Sequence, residues 1–291
     1  MHKKLHFNFI KSFILFMILA LCISNLFIIG KSSSNDIHIV LDKIKVNKMP
    51  SNFRSTNNID ISQSINTTGL SNLNISGSSQ FSKSNLTLMI KAINTNLPII
   101  DIDLRQESHG FINELPISFE NTKNNANLGL QSQEVLLKEI EDLNTIELDK
   151  FLTFYNDEKN PIIVKSVENE SLVISKNSIG YLRIAVTDST LPNKDEVNKF
   201  ITFVKNQPKN THLHFHCKEG IGRTTTFMIL YDMMKNYNDI PMEAIINRQI
   251  ALAKLDEKDS RIFYDKNHTE FFTSFYNYCK ASKDLFLSPW Q

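Results

Sequence analysis

His212-Leu213-His214-Phe215-His216-Cys217-Lys218-Glu219-Gly220-Ile221-Gly222-Arg223-Thr224 reads as a strand, a loop and the start of a helix in direct succession. Residues 212–216 alternate polar and apolar character, the period of a β-strand. Phe227, Leu230, Tyr231 and Met234 then recur at helical spacing, so the loop of residues 217–222 joins the strand to a helix beginning near Arg223. At such a junction a backbone can wrap an anion. Successive N–H groups of residues 218–223 can point inward, and the helix N-terminus adds a partial positive charge.

The side chains of this loop carry the chemistry. Gly220 and Gly222 allow backbone conformations that other residues resist. Arg223, six positions after Cys217, can close the ring with a bidentate fork on two phosphoryl oxygens. Lys218, Glu219, Gly220, Ile221, Gly222 and Arg223 are therefore the expected phosphate-binding residues. A thiol at a helix N-terminus beside a cation has its pKa lowered to about 3.5–7.5, which makes Cys217 a thiolate nucleophile at neutral pH. Thr224 can hydrogen-bond that sulfur, and His216 can fix the loop from behind. The expected reaction passes through a phosphocysteine that is later hydrolysed. The loop and Arg223 supply the charge stabilisation, so the reading calls for neither metal nor cofactor. A rhodanese-like sulfur transferase also places a cysteine loop at such a junction, but it does not need the Gly-x-Gly-Arg-Thr ending.

Working outward, strands and helices alternate. Ser84 can cap a helix carrying Leu86, Met89, Ile90 and Ile93 on one face. Pro98–Leu104 reads as a strand, Ser132–Leu143 as a helix, Tyr181–Val186 as another strand. Asn193 and Glu196 form a capping-box start before Val197, Phe200, Ile201 and Val204. Ile162–Val167 and Leu172–Ile174 are short β-rich runs, which suggests a small β insertion at about 120–178. The fold class is α/β with a mainly parallel central sheet. Residues 31–80, rich in Ser, Asn, Ile and Thr, read as an N-terminal arm, and residues 81–291 as the main domain.

Composition narrows the partners. The chain has 291 residues and a formal net charge of +1, which gives no bulk electrostatic case for nucleic acid. Its cysteines are Cys22, Cys217 and Cys279, too few for a disulfide framework, and Cys279 is expected on the apolar side of a C-terminal helix. Lys3, Lys4 and Lys11 precede an apolar run from Phe13 to Ile29. Residues 1–30 therefore read as a signal peptide or a membrane anchor, and the protein as exported, with that segment its sole expected link to a membrane.

Further segments bring a family into view. Asp103-Leu104-Arg105-Gln106-Glu107-Ser108-His109-Gly110, Leu115-Pro116-Ile117-Ser118, Arg183-Ile184-Ala185 with Thr187-Asp188 and Pro192, and the loop itself resemble the bacterial protein-tyrosine-phosphatase-like inositol polyphosphatases, or cysteine phytases. Asn52-Phe53-Arg54 and Ile75–Ser79 fit the same pattern, so the similarity spans roughly residues 50–280. The resemblance implies a phosphatase core with a small partial β-barrel domain and stepwise removal of phosphates from phytate-like inositols. It makes Asp188 the general acid, which must protonate the leaving oxygen. Asp103 would assist near the loop, and Arg54 would bind a peripheral phosphate. The chain departs from the family pattern in three places: Lys218-Glu219 after the cysteine, Ser189 after the acid, and Leu130 where a lysine is usual. Lys218, Lys254 and Lys258 could replace missing cations. A tyrosine or dual-specificity protein phosphatase acting on phosphotyrosine proteins is the alternative of the same fold, and a phosphate-binding pseudoenzyme a remote one.

Overall fold

The computed structural model describes residues 36–42, 47–283 and 285–291. The proposed leader, residues 1–30, lies outside the described residues. The chain divides after Ile37, and the unit His38–Gln291 holds everything that follows.

The strands are β1 (His38–Leu41), β2 (Arg54–Ser55), β3 (Ile75–Ser79), β4 (Ile99–Arg105), β5 (His109–Ile112), β6 (Leu115–Glu120), β7 (Phe151–Phe154), β8 (Asp157–Ile163), β9 (Val167–Glu168), β10 (Gly180–Val186) and β11 (His212–Cys217). The helices are α1 (Lys83–Ile93), α2 (Ser132–Asn144), α3 (Glu170–Lys176), α4 (Lys194–Asn206), α5 (Gly222–Asn236), α6 (Met242–Leu252), α7 (Glu257–Ser260) and α8 (Lys266–Ser282). None among the described residues is long and apolar enough to cross a membrane.

A five-stranded sheet ordered β10-β4-β11-β3-β2 forms the centre, parallel except for the edge strand β2. The expected α/β class and mainly parallel sheet are thus observed. Strand β11 lies in the middle, its residues buried throughout, and delivers Cys217 at its C-terminal end. That end is where an open parallel sheet gathers its ligand groups. Helix α5 packs against β11 and also against α6 and α8. The sequence pattern predicts one apolar face, but every residue from Arg223 to Met234 is buried. Its polar residues explain the difference: Arg223, Thr224 and Thr225 point their hydrogen bonds at the site, and Asp232 pairs with the buried Arg248.

The capping box at Asn193 and Glu196 forms as read. Other boundaries need correction. Helix α1 is capped by Ser82, not Ser84, since the Ser82 hydroxyl accepts the N–H of Asn85. Leu172–Ile174 is helical, because Asn169 caps the N–H of Leu172 and starts α3. The β insertion is wider than 120–178. A four-stranded antiparallel sheet, β1-β6-β5-β9, takes in residues 38–41 and 109–120, and the β7-β8 hairpin adds a two-stranded sheet.

Residues 31–80 are more than an arm, for they supply β3 to the central sheet. Ile75-Ser76-Gly77-Ser78-Ser79 reads as polar yet is fully buried. Its hydroxyls are paired inside: Ser76 Oγ lies 2.9 Å from both His212 Nε2 and His214 Nδ1. Gly77 carries no side chain where a Cβ would come within 2.7 Å of Met228 Sδ and 3.1 Å of Arg54 Nε. Satisfied polar groups and a missing side chain replace the apolar signature of a core strand.

Candidate active site

Cys217 is 3% exposed, and its Sγ accepts hydrogen bonds from the Gly220 N–H and the Thr224 hydroxyl, both at 3.2 Å. Burial alone would raise the thiol pKa. Arg223, together with these hydrogen bonds, outweighs burial and holds it below the usual thiol value. Gly220 adopts a φ of +73°, and a Cβ there would lie 2.3 Å from the Ser79 nitrogen. Only glycine lets the loop turn back over β3 at that distance.

Arg223 is clamped. Its Nη1 donates to Glu107 Oε2 at 2.7 Å and to the Val186 carbonyl at 3.1 Å, and its Nη2 donates to Glu107 Oε1 at 3.1 Å. Asp188 follows β10, and its Oδ1 lies 2.9 Å from the same Nη2. Its Oδ2 accepts from Asn124 Nδ2 at 3.2 Å. The expected acid, the arginine and the thiol therefore converge on one cavity of about 340 Å³.

Behind the loop lies a buried ionic layer. His216 Nε2 stands 2.7 Å from Glu170 Oε1 and 3.2 Å from Asp101 Oδ2. Burial would lower the imidazole pKa, but Glu170 and Asp101 raise it well above the usual value, so His216 is held as a cation. Gln80 ties the layer together, donating to Glu170 at 2.6 Å and accepting from Arg105 at 2.6 Å.

Asp103 is a correction. Expected to assist at the loop, it is fully buried, accepts from Tyr181 Oη at 2.6 Å, and lies 3.3 Å from both Arg183 Nε and His109 Nε2. Burial opposes its ionisation, yet His109 and Arg183 hold the carboxyl well below its usual range. It does not line the cavity. The Tyr181 hydroxyl from β10 and the Arg105 N–H of its own strand occupy its oxygens, with the cationic His109 and Arg183 alongside.

The peripheral cations are mostly engaged elsewhere. Arg54 is 4% exposed and supports the loop from beneath, donating to the Gly220 carbonyl at 2.5 Å and to Thr225 Oγ1 at 2.9 Å. Burial pushes its pKa down to about 10. Lys218 turns to Glu120 and Asp42. Lys254 pairs with Asp60 at 2.6 Å on the surface. None of these three lines the cavity, so the expectation that they bind substrate phosphates is not met by their positions. Lys258 does line it, alongside Glu219, Ile221, Asp259 and Ile262.

Reading the sequence missed Glu107, Asn124 and Glu170 as site residues. Glu107 stands in a quoted motif, but only the fold reveals its partner 116 positions away. Asn124 and Glu170 arrive from the β insertion, beyond any local pattern.

Comparison with known proteins places the chain. The profile of the PTP-like phytases, described by inositol hexakisphosphate, matches residues 102–235. The effector protein hopD2 of Pseudomonas syringae pv. tomato is 31% identical over 247 residues, 80% of this chain and 50% of that protein. The PTP-like myo-inositol phosphatase of Mitsuokella multacida, solved with myo-inositol-(1,3,4,5)-tetrakisphosphate, is 27% identical with a TM-score of 0.77, over 87% of this chain and 46% of that one. The chain thus spans about half the length of these two relatives. A PTP-like phytase from Bdellovibrio bacteriovorus is 34% identical with a TM-score of 0.72, over 87% of this chain and 93% of its own. With the loop, its clamped arginine and this match along nearly the whole Bdellovibrio domain, the chain belongs to the PTP-like phytase family of phosphatases.

Proposed function

We propose that the protein hydrolyses phosphomonoesters of inositol polyphosphates through a phosphocysteine. The Cys217 thiolate attacks phosphorus, the phosphorus–oxygen ester bond breaks, and Asp188 gives its proton to the leaving oxygen. Water then attacks the phosphocysteine, returning its proton to Asp188 and releasing phosphate and thiolate. Arg223 and the loop N–H groups bind the equatorial oxygens throughout. The observation that carries this reading is the sulfur of Cys217, hydrogen-bonded by Gly220 and Thr224 beneath an arginine that Glu107 aligns. The relative solved with an inositol tetrakisphosphate supports the substrate class.

Ile221 and Ile262 on the cavity wall favour a second reading, a phosphotyrosine ring clamped between apolar side chains. Phosphate release by the full chain from inositol hexakisphosphate, inositol trisphosphate and a phosphotyrosine peptide separates the two. The Cys217→Ser protein should bind inorganic phosphate without turnover, and wild-type rates in that variant would refute the mechanism. Export through residues 1–30 belongs to the same proposal, supported by their lysines and apolar run.

A further inference from the structure

We infer that this site takes inositols bearing two or three phosphates and discriminates against the hexakisphosphate, with Lys258 as the ligand of a second, non-reacting phosphate. The inference rests on the function proposed above and deepens it.

It follows from the charges that face the cavity. Arg223 and Lys258 are its lysine and arginine side chains, and its carboxylates are Asp188, Glu219 and Asp259. Arg223 serves the reacting phosphate and Asp188 the leaving group. One cation, Lys258, then remains for the rest of the substrate, against Glu219 and Asp259. Lys258 is exposed and forms no ion pair or hydrogen bond among the described residues, so its ammonium is available. The cations that could have enlarged the set are committed: Arg54 under the loop, Lys218 to Glu120 and Asp42, Lys254 to Asp60. His268, also on the wall, turns its Nδ1 to Asp265 at 3.1 Å.

Each phosphoryl group carries roughly −1.5 to −2 charges at neutral pH. The five non-reacting groups of a hexakisphosphate would therefore bring about −8 to −10 charges against a wall that offers one free ammonium and two carboxylates. A bis- or trisphosphate brings one or two such groups. Selection against the heavier substrate comes from the repulsive carboxylates as much as from the missing cations. The same chemistry is presented by a soluble inositol phosphate and by the headgroup of a phosphoinositide.

The test compares kcat/KM of the full chain on inositol bis-, tris- and hexakisphosphates, on vesicles carrying phosphatidylinositol bisphosphate, on a phosphotyrosine peptide and on para-nitrophenyl phosphate. The expected result is a preference of tenfold or more for the bis- or trisphosphate, soluble or in vesicles, over the hexakisphosphate. Lys258→Ala should lower the ratio of bisphosphate to para-nitrophenyl phosphate activity about tenfold, and Glu219→Lys with Asp259→Lys should narrow the gap to the hexakisphosphate. Equal or better turnover of the hexakisphosphate would overturn the inference and leave the proposed hydrolase standing. Preference for the peptide over every inositol would also overturn it. Hydrolysis of no ester at all would remove the proposed function itself. The vesicle arm, read against the soluble one, tells which source the site serves.

Discussion

Glu107 gives both carboxylate oxygens to Arg223, at 2.7 and 3.1 Å, and one of the same oxygens also accepts from Arg105 Nε at 2.8 Å. The carboxylate is buried, and the two arginines outweigh burial to hold it well below its usual pKa. It fixes the plane of the guanidinium before any phosphate arrives. Glu107→Gln keeps the shape and removes the charge. We expect kcat/KM on para-nitrophenyl phosphate to fall about 10²-fold, the scale of one mis-set oxyanion donor. Affinity for inorganic phosphate should fall with it, which a purely structural carboxylate would not require. Unchanged phosphate affinity would show that Arg223 needs no clamp.

Asp188 is set between Arg223 and Asn124. For an alkyl phosphate, Asp188→Asn should reduce kcat about 10²- to 10⁴-fold, the range of general acid catalysis. The loss should be far smaller for para-nitrophenyl phosphate, whose leaving group needs no proton. Asn124→Ala should show the same substrate dependence at lower amplitude. Equal losses on both substrates would remove the assignment of Asp188 as acid.

The Thr224 hydroxyl contributes to the lowered pKa of Cys217. Thr224→Val should raise that pKa, so alkylation by iodoacetamide at pH 6 slows while the rate at high pH is retained. A superimposable pH profile would mean that the hydroxyl does not hold the thiolate.

His109 sits between Asp103 and Glu139, and although burial and Arg105 act against it, these carboxylates raise its pKa to about 9. A histidine whose folded pKa exceeds its unfolded value stabilises fully below about 6.5 and loses that stabilisation as pH climbs through the folded value. Stability to urea should therefore decline between about pH 6.5 and 9. His109→Gln should lower stability overall and flatten that decline. A decline of the same steepness in the variant would assign it to other groups.

Gly220→Ala meets two obstacles, a left-handed φ of +73° and the Ser78–Ser79 backbone within 2.6 Å of the new Cβ. The φ alone costs roughly 1–2 kcal/mol, and the contact cannot relax without moving the loop away from Cys217. Thermal unfolding should shift down by several degrees and turnover should be largely lost. Gly222→Ala, with nothing near its Cβ and no positive φ, should leave the unfolding temperature close to that of the wild type.

Much of the site could be read from the sequence because its parts lie within one βα unit. Cys217, Gly220, Arg223 and Thr224 are seven positions apart at most, and their meaning depends on local geometry. Strand β10 also carries a recognisable apolar run, and β4 and β11 an alternation of apolar and polar residues. Strand β3 does not, since its burial depends on hydroxyl–imidazole pairs with His212 and His214 that no periodicity reports. The same reason hid Glu107 and Asn124, whose partners are brought near only by the sheet. Charged residues misled for the opposite cause. Arg54, Lys218 and Lys254 look available in a sequence, and only the fold shows the carbonyls and carboxylates that claim them.

The chemistry and the choice of substrate are built on parts of very different rigidity. Cys217, Arg223 and Glu107 are sealed into a layer where one altered charge would leave several others unmatched. Lys258, Asp259 and Ile262 sit on the short α7 and the turn after it, with exposed or half-buried side chains. Mutation can therefore rewrite the rim at little cost to folding while the reaction is inherited intact. A lineage built this way can adopt new phosphate esters by drift at a few surface codons, and substrate would then be the least durable of its traits.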